Sequence, residues 1–149
     1  MKNNDEMEIG GLVRAFTHGW NAQDGAACAR PFAVDADFTA VNGLRANGRD
    51  LIAEGHREIL ATIFQGSRLT DQVESIRFIR PDVALVNVTF RLRDQDGEPL
   101  FGIQKTSAGL VVTKESGVWS IVSFRNMVPF DRPVAGPFER ELIAKGARG

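Results

Sequence analysis

The sequence predicts an α+β domain in which three N-terminal helices pack on a curved antiparallel sheet. Three observations lead there. Apolar residues recur at helical spacing through the first sixty or so positions. From Ser67 onward the period changes to two. The two-period segments are then joined by short turns. With 149 residues, 43% of them hydrophobic and 25% charged, the chain suits one globular domain in the ~100–200 residue range.

The first helix is expected over about Asp5 to Trp20, where Ile9, Leu12, Val13, Phe16 and Trp20 share one face. Asp5 followed by Glu8 resembles a capping arrangement. Gly10 and Gly11 weaken this helix by ~1 kcal/mol each relative to Ala. Asp24 is placed to cap a short second helix through Ala26, Ala27 and Cys28, which Pro31 ends. Asp37 to Val41 reads as a short strand, and Gly43 to Gly48 as a turn or a ragged hairpin. A third helix, roughly Asp50 to Phe64, carries Ile52, Ile59, Leu60 and Ile63 as its buried stripe. His56 lies on that same face.

Four strands follow. Val73, Ser75, Arg77 and Ile79 alternate with their neighbours in the first. Ala84, Val86, Val88, Phe90 and Leu92 occupy one face of the second. Asp94-Gln95-Asp96-Gly97 is a hairpin signal. Leu100 to Thr113 reads as one long strand, and Lys114 to Gly117 turns it into a last strand, Val118 to Val128. Three prolines make the tail start extended, with a short helix expected over Pro137 to Lys145. The organisation is thus a domain over 1–131 and a tail over 132–149.

Composition excludes several classes. A net charge of −1 and a pI near 6.1 speak against nucleic-acid binding, which needs a basic face. Cys28 stands alone, so no internal disulfide forms, which fits a reducing compartment. No apolar run is long enough for a membrane span, and the polar start, Met1 to Glu8, does not resemble a signal peptide. A cytoplasmic location is expected. His18 and His56 lie on different helices without further ligands nearby, so no metal site is expected. Ten Phe and two Trp stand beside no Tyr, which rules out phenol chemistry.

Two segments carry a family resemblance. One comprises Trp20-Asn21-Ala22-Gln23-Asp24, Phe32 to Phe38, Gly43, and Gly48 to Ile52 with His56. The other is Gly117 to Asn126. Together with the order of elements, they resemble the SnoaL-like branch of the nuclear transport factor 2-like superfamily, most closely the SgcJ/EcaC group. The resemblance covers about Glu8 to Pro133. It implies a cone whose bent sheet wraps the long helices around a pocket, and a homodimer through the sheet's outer face. Members include isomerases, cyclases, dehydratases and non-catalytic binding or assembly modules. No dinucleotide fingerprint is present, and no cofactor is implied. The carboxylate base of a superfamily relative, ketosteroid isomerase, maps near Val41-Asn42, where no carboxylate stands.

His56 is the foremost site candidate. It is either a pocket-lining general acid or base, with a reference pKa of ~6.5, or a hydrogen-bonded core residue. By alternation Asn126 shares a strand face with Val122 and Phe124, so among apolar neighbours its amide needs a ligand, a water or a structural partner. Phe16, Trp20 and Phe32 form either an aromatic wall or plain core. Trp20 is favoured for the pocket because a buried indole N–H seeks a partner. Gln104 and Thr106 lie on a strand that can face the cavity. Asp35 and Asp37 are placed in a turn or on a strand face, and Arg45, Arg49 and Arg125 suit an anionic group or solvent. The expected function is binding of a small, largely apolar molecule, with His56 moving a proton in an isomerase, cyclase or lyase reaction. The alternative is a non-catalytic dimerisation or assembly module with a vestigial pocket.

Overall fold

The structure, a computed structural model, describes residues 2–129. The expectations for the tail over 132–149, and for a domain boundary at 131, lie outside those residues. Three α-helices come first: α1, Lys2–Asn21; α2, Gly25–Ala29; and α3, Arg49–Ala61. Strands β1, Phe32–Thr39, and β2, Arg45–Asn47, lie between α2 and α3. Then come β3, Arg68–Arg80; β4, Val83–Arg93; β5, Thr106–Glu115; and β6, Val118–Met127.

The strands form one six-stranded sheet in the order β2-β1-β6-β5-β4-β3. Neighbours are antiparallel except β1 and β6, which run parallel. The first strand starts five residues before the expected Asp37, because Phe32 and Ala36 are buried and bring β1 against β6. The ragged segment after Gly43 closes a hairpin in which Asp37, Phe38 and Thr39 face Asn47, Ala46 and Arg45. Register shifts break the β3–β4, β5–β6 and β1–β6 ladders. Such bulges bend a sheet locally and increase its twist, and here they let it curve around the helices.

The β5–β6 bulge decides which residues look inward. Val112 faces Ile121 but Val111 faces Ser123, so Val122 is the extra residue. Trp119 and Ile121 are buried before the bulge and Phe124 after it. Asn126 therefore keeps the inner face with Phe124, whereas Val122 leaves it.

Helix α1 buries Ile9, Val13, Phe16 and Trp20, the face set by the sequence spacing. It starts earlier than expected, so Asp5 lies within the helix and does not cap it. Its carboxylate accepts hydrogen bonds from Trp119 Nε1 at 2.9 Å and Lys114 Nζ at 3.0 Å. At α2, the Asp24 carboxylate does cap, accepting from the Ala27 N–H at 3.0 Å. Helix α3 ends at Ala61, which leaves Ile63 60% exposed and off the expected stripe. The expected long strand from Leu100 begins only at Thr106. Phe101 and Gly102 both adopt positive φ, 54° and 71°, and the resulting 3-10 turn breaks the extended path.

The end of α1 is fastened to the start of β3. Asn21 donates to the Leu69 carbonyl at 2.9 Å and accepts from the Leu69 N–H at 2.7 Å. Gln23 accepts from the Gly66 N–H at 2.8 Å. Trp20 Nε1 donates to the Ser67 hydroxyl at 3.0 Å. The Trp20-Asn21-Ala22-Gln23 stretch is thus a clamp that sets where the first long strand leaves the helical layer.

Candidate functional site

A cavity of about 340 Å³ opens at one end of the sheet. Its walls come from the second half of α1, one face of α3, the end of β1 and the turn into β2, the start of β3, the ends of β4 and β6, and the segment from Leu100 to the start of β5. Small-molecule pockets typically enclose ~300–1,000 Å³, so this one suits a small occupant.

Aromatic rings dominate the interior. The Phe16 ring centroid lies 5.2 Å from that of Phe124, 5.7 Å from Phe90 and 5.4 Å from His56. Phe38 stacks on Phe124 at 4.7 Å and stands edge-on to His56 at 4.9 Å. Aromatic edges and faces meeting in this way fix each other's orientation, so the imidazole is held by its surroundings as well as by its helix.

His56 is 4% exposed and lines the cavity. Its Nδ1 sits 2.8 Å from the Ile52 carbonyl oxygen, one turn back on α3. A carbonyl only accepts, so Nδ1 carries the proton and Nε2 holds the free lone pair. Burial pushes the imidazole below its ordinary pKa, and the bond to Ile52 offsets this only in part. The ring is therefore neutral near pH 7, with Nε2 as an acceptor or a weak base.

Asn126 also lines the cavity, and its Oδ1 is buried without a hydrogen-bond partner among the described residues. An unmet buried amide oxygen costs about 1–3 kcal/mol. Trp20 lines the wall too, but its N–H is satisfied by Ser67. It offers ring surface and no free donor, contrary to the reason for which it was favoured.

Two expected site residues stand elsewhere. Phe32 is 1% exposed and packs behind Phe16, with centroids 6.2 Å apart, so it belongs to the core and not to the cavity wall. Gln104 is exposed and off the wall, because the turn at Leu100–Gly102 keeps it out of the long strand expected from Leu100. Its neighbours Ile103, Lys105 and Thr106 line the cavity instead. Asp37 accepts from the Ser123 hydroxyl at 2.7 Å and holds β1 to β6. Arg45 reaches the cavity wall, whereas Arg49 and Arg125 do not.

Sequence reading missed Phe38, Phe64 and Phe101. Phe38 lies two residues after the buried Ala36 and so turns inward with it; the phase does not run from Phe32, because the β1–β6 ladder shifts register between Phe32 and Asp37 and Val34 is 71% exposed. Phe101 had no readable signal, because its place depends on a positive φ in a non-glycine residue. Among the described residues, no Asp or Glu lines the cavity, and no group of three His, Cys, Asp or Glu side chains could hold a metal ion.

No protein-family model and no curated protein matches the sequence. Solved structures do match the fold. A domain of unknown function with a cystatin-like fold from Nostoc punctiforme superposes with a TM-score of 0.80 at 26% identity, covering 95% of this chain and 96% of that one. An NTF-2-like protein of unknown function from Shewanella oneidensis gives 0.69 at 18% identity, covering 83% and 98%. A ketosteroid isomerase-like protein from Erwinia carotovora atroseptica gives 0.63 at 15%, covering 85% and 96%. The chain thus has the cystatin-like, nuclear transport factor 2-like α+β fold. No helix among the described residues is long and apolar enough to cross a membrane.

Proposed function

We propose that this protein binds a small, largely apolar molecule in the cavity and that His56 addresses its polar group. The observation that carries this reading is a buried, neutral imidazole of fixed tautomer on the wall of an otherwise aromatic and aliphatic hollow. A hydroxyl or N–H on the ligand would donate to Nε2, and Asn126 would orient a second polar atom. With a carbonyl or hydroxyl compound bound, Nε2 would take a proton from carbon or oxygen and return it elsewhere. That is isomerase, cyclase or lyase chemistry by acid and base alone, without a cofactor. The likeness to a ketosteroid isomerase-like protein is compatible with it but rests on fold, which does not settle activity. The SgcJ/EcaC affinity, a cytoplasmic location and a homodimer through the outer sheet face belong to the same proposal.

An assembly module with a vestigial pocket fits less well, because the hollow is open and not packed with side chains. The test is a screen of carbonyl compounds against the wild type, His56→Ala and His56→Gln, with melting temperatures recorded alongside. Turnover lost in both folded variants supports catalysis by His56. Turnover equal to the wild type removes His56 from the mechanism. Ligand-induced stabilisation without turnover leaves a binding protein.

A further inference from the structure

The charges around the cavity are one-sided. Although the chain carries 19 acidic and 18 basic residues, the charged side chains on the described cavity wall are Arg45 and Lys105, both cationic. They stand at one end of the sheet. Arg45 opens β2 and faces Thr39 at the end of β1, while Lys105 immediately precedes Thr106, which opens β5. Both are exposed, and neither forms an ion pair among the described residues, where the salt bridge is Lys114 to Asp5. Exposed apolar side chains lie beside them on the same wall: Leu44 is 70% and Phe101 68% exposed.

Resting on the binding reading above, we infer that the ligand is an amphipathic anion: a carboxylate-class head group sits at Arg45 and Lys105, and a largely apolar body runs inward past Phe38, carrying at its inner end the separate polar group that His56 addresses. The orientation follows from solvation. A carboxylate carried down among the rings would lose its water with no cation to replace it. At the mouth it stays partly hydrated, and the planar guanidinium offers two parallel donors to its two oxygens. An ammonium head would meet two like charges. A neutral head would gain a single hydrogen bond from either side chain and no ion pairing.

The test uses the full chain and calorimetric titration with two matched series: naphthylacetate, naphthylethanol and naphthylethylammonium, then octanoate, octanol and octylammonium. The expected result is an anion bound about tenfold more tightly than the alcohol, with the ammonium weakest. In the double variant Arg45→Gln/Lys105→Gln, the anion's advantage should vanish while the alcohol's affinity stays unchanged. Raising the salt from about 0.01 M to about 1 M should shrink the advantage in the wild type. Equal affinity for anion and alcohol, or an advantage that survives the double variant, overturns the anionic head group and leaves the binding reading intact. Failure of every probe in both series counts against both. The substituted side chains are exposed, so an unchanged melting temperature in the variant confirms that only charge was removed.

Discussion

The Nδ1 atom of His56 lies 2.8 Å from the Ile52 carbonyl oxygen, so the helix that carries the imidazole also decides which of its nitrogens carries the proton. Burial keeps the folded-state pKa below the ordinary value. Once the pH drops below ~6.5, the unfolded chain therefore binds a proton that the folded chain resists. Stability contributed in this way is complete above that pH and is lost as pH falls. Urea midpoints for the wild type and His56→Gln should converge or cross toward acid, with the wild type losing more. Nitrogen chemical shifts should show a neutral, Nδ1-protonated ring at pH 7. A ring that protonates above ~6.5 would contradict the burial argument.

Asp5 joins the first helix to the last strand through Trp119 and Lys114. The indole N–H first, and the ammonium second, hold its carboxyl below the ordinary carboxylate range. For a depressed carboxylate the sign is fixed. The stabilisation is present above the unfolded pKa of ~3.9 and disappears as pH falls through the lower folded value. Asp5→Asn should melt below the wild type at pH 7, and the difference should close under strongly acidic conditions. A constant difference from pH 7 to pH 2 would show that packing, not charge, holds this contact.

These two sites show what was legible in the sequence. The inward faces of α1 and α3, and with them the inward turn of Phe16, Trp20 and His56, follow from local spacing; a pocket at that place was implied by the family resemblance and not by spacing. Asn126 reached its position by a different route from the one alternation suggests. Val122 is a bulge residue, so the phase holds from Phe124 but not from Val122. Bulges and positive-φ turns depend on the whole sheet, which is why Gln104, Phe101 and the start of β5 were misplaced. The parallel β1–β6 pair joins residues some ninety positions apart, and no periodicity encodes such a partner.

The helices are close-packed through glycine. A Cβ on Gly19 would overlap the Cys28 backbone, and one on Gly25 would stand 2.7 Å from the Ala53 carbonyl oxygen and overlap the Arg57 backbone nitrogen. Gly11 has open space at the same point. Gly19→Ala and Gly25→Ala should each cost about 1–3 kcal/mol, since backbone must move. Gly11→Ala should instead add about 0.5–1 kcal/mol through helix propensity. Chemical denaturation of the three variants checks the contrast. Equal effects would mean that α2 does not sit as tightly between α1 and α3 as the geometry requires.

Cys28 reports on that same packing. It is fully buried, and burial, followed by the nearby Asp24 charge, pushes its thiol up to about 12. The thiolate is the reactive form, so the folded protein should resist alkylation at pH 8. The unfolded chain, with an ordinary thiol pKa of ~8.5, should react freely. The native rate should therefore follow opening, at least about a thousandfold slower than in denaturant for a domain of ordinary stability. Because Gly19 abuts the Cys28 backbone, Gly19→Ala should accelerate native labelling in step with its loss of stability, about 5–30-fold for 1–2 kcal/mol. Rapid labelling of the wild type, or a Gly19→Ala variant that is destabilised yet labels no faster, would mean that the thiol is reached by a local motion separate from the α1–α2 contact.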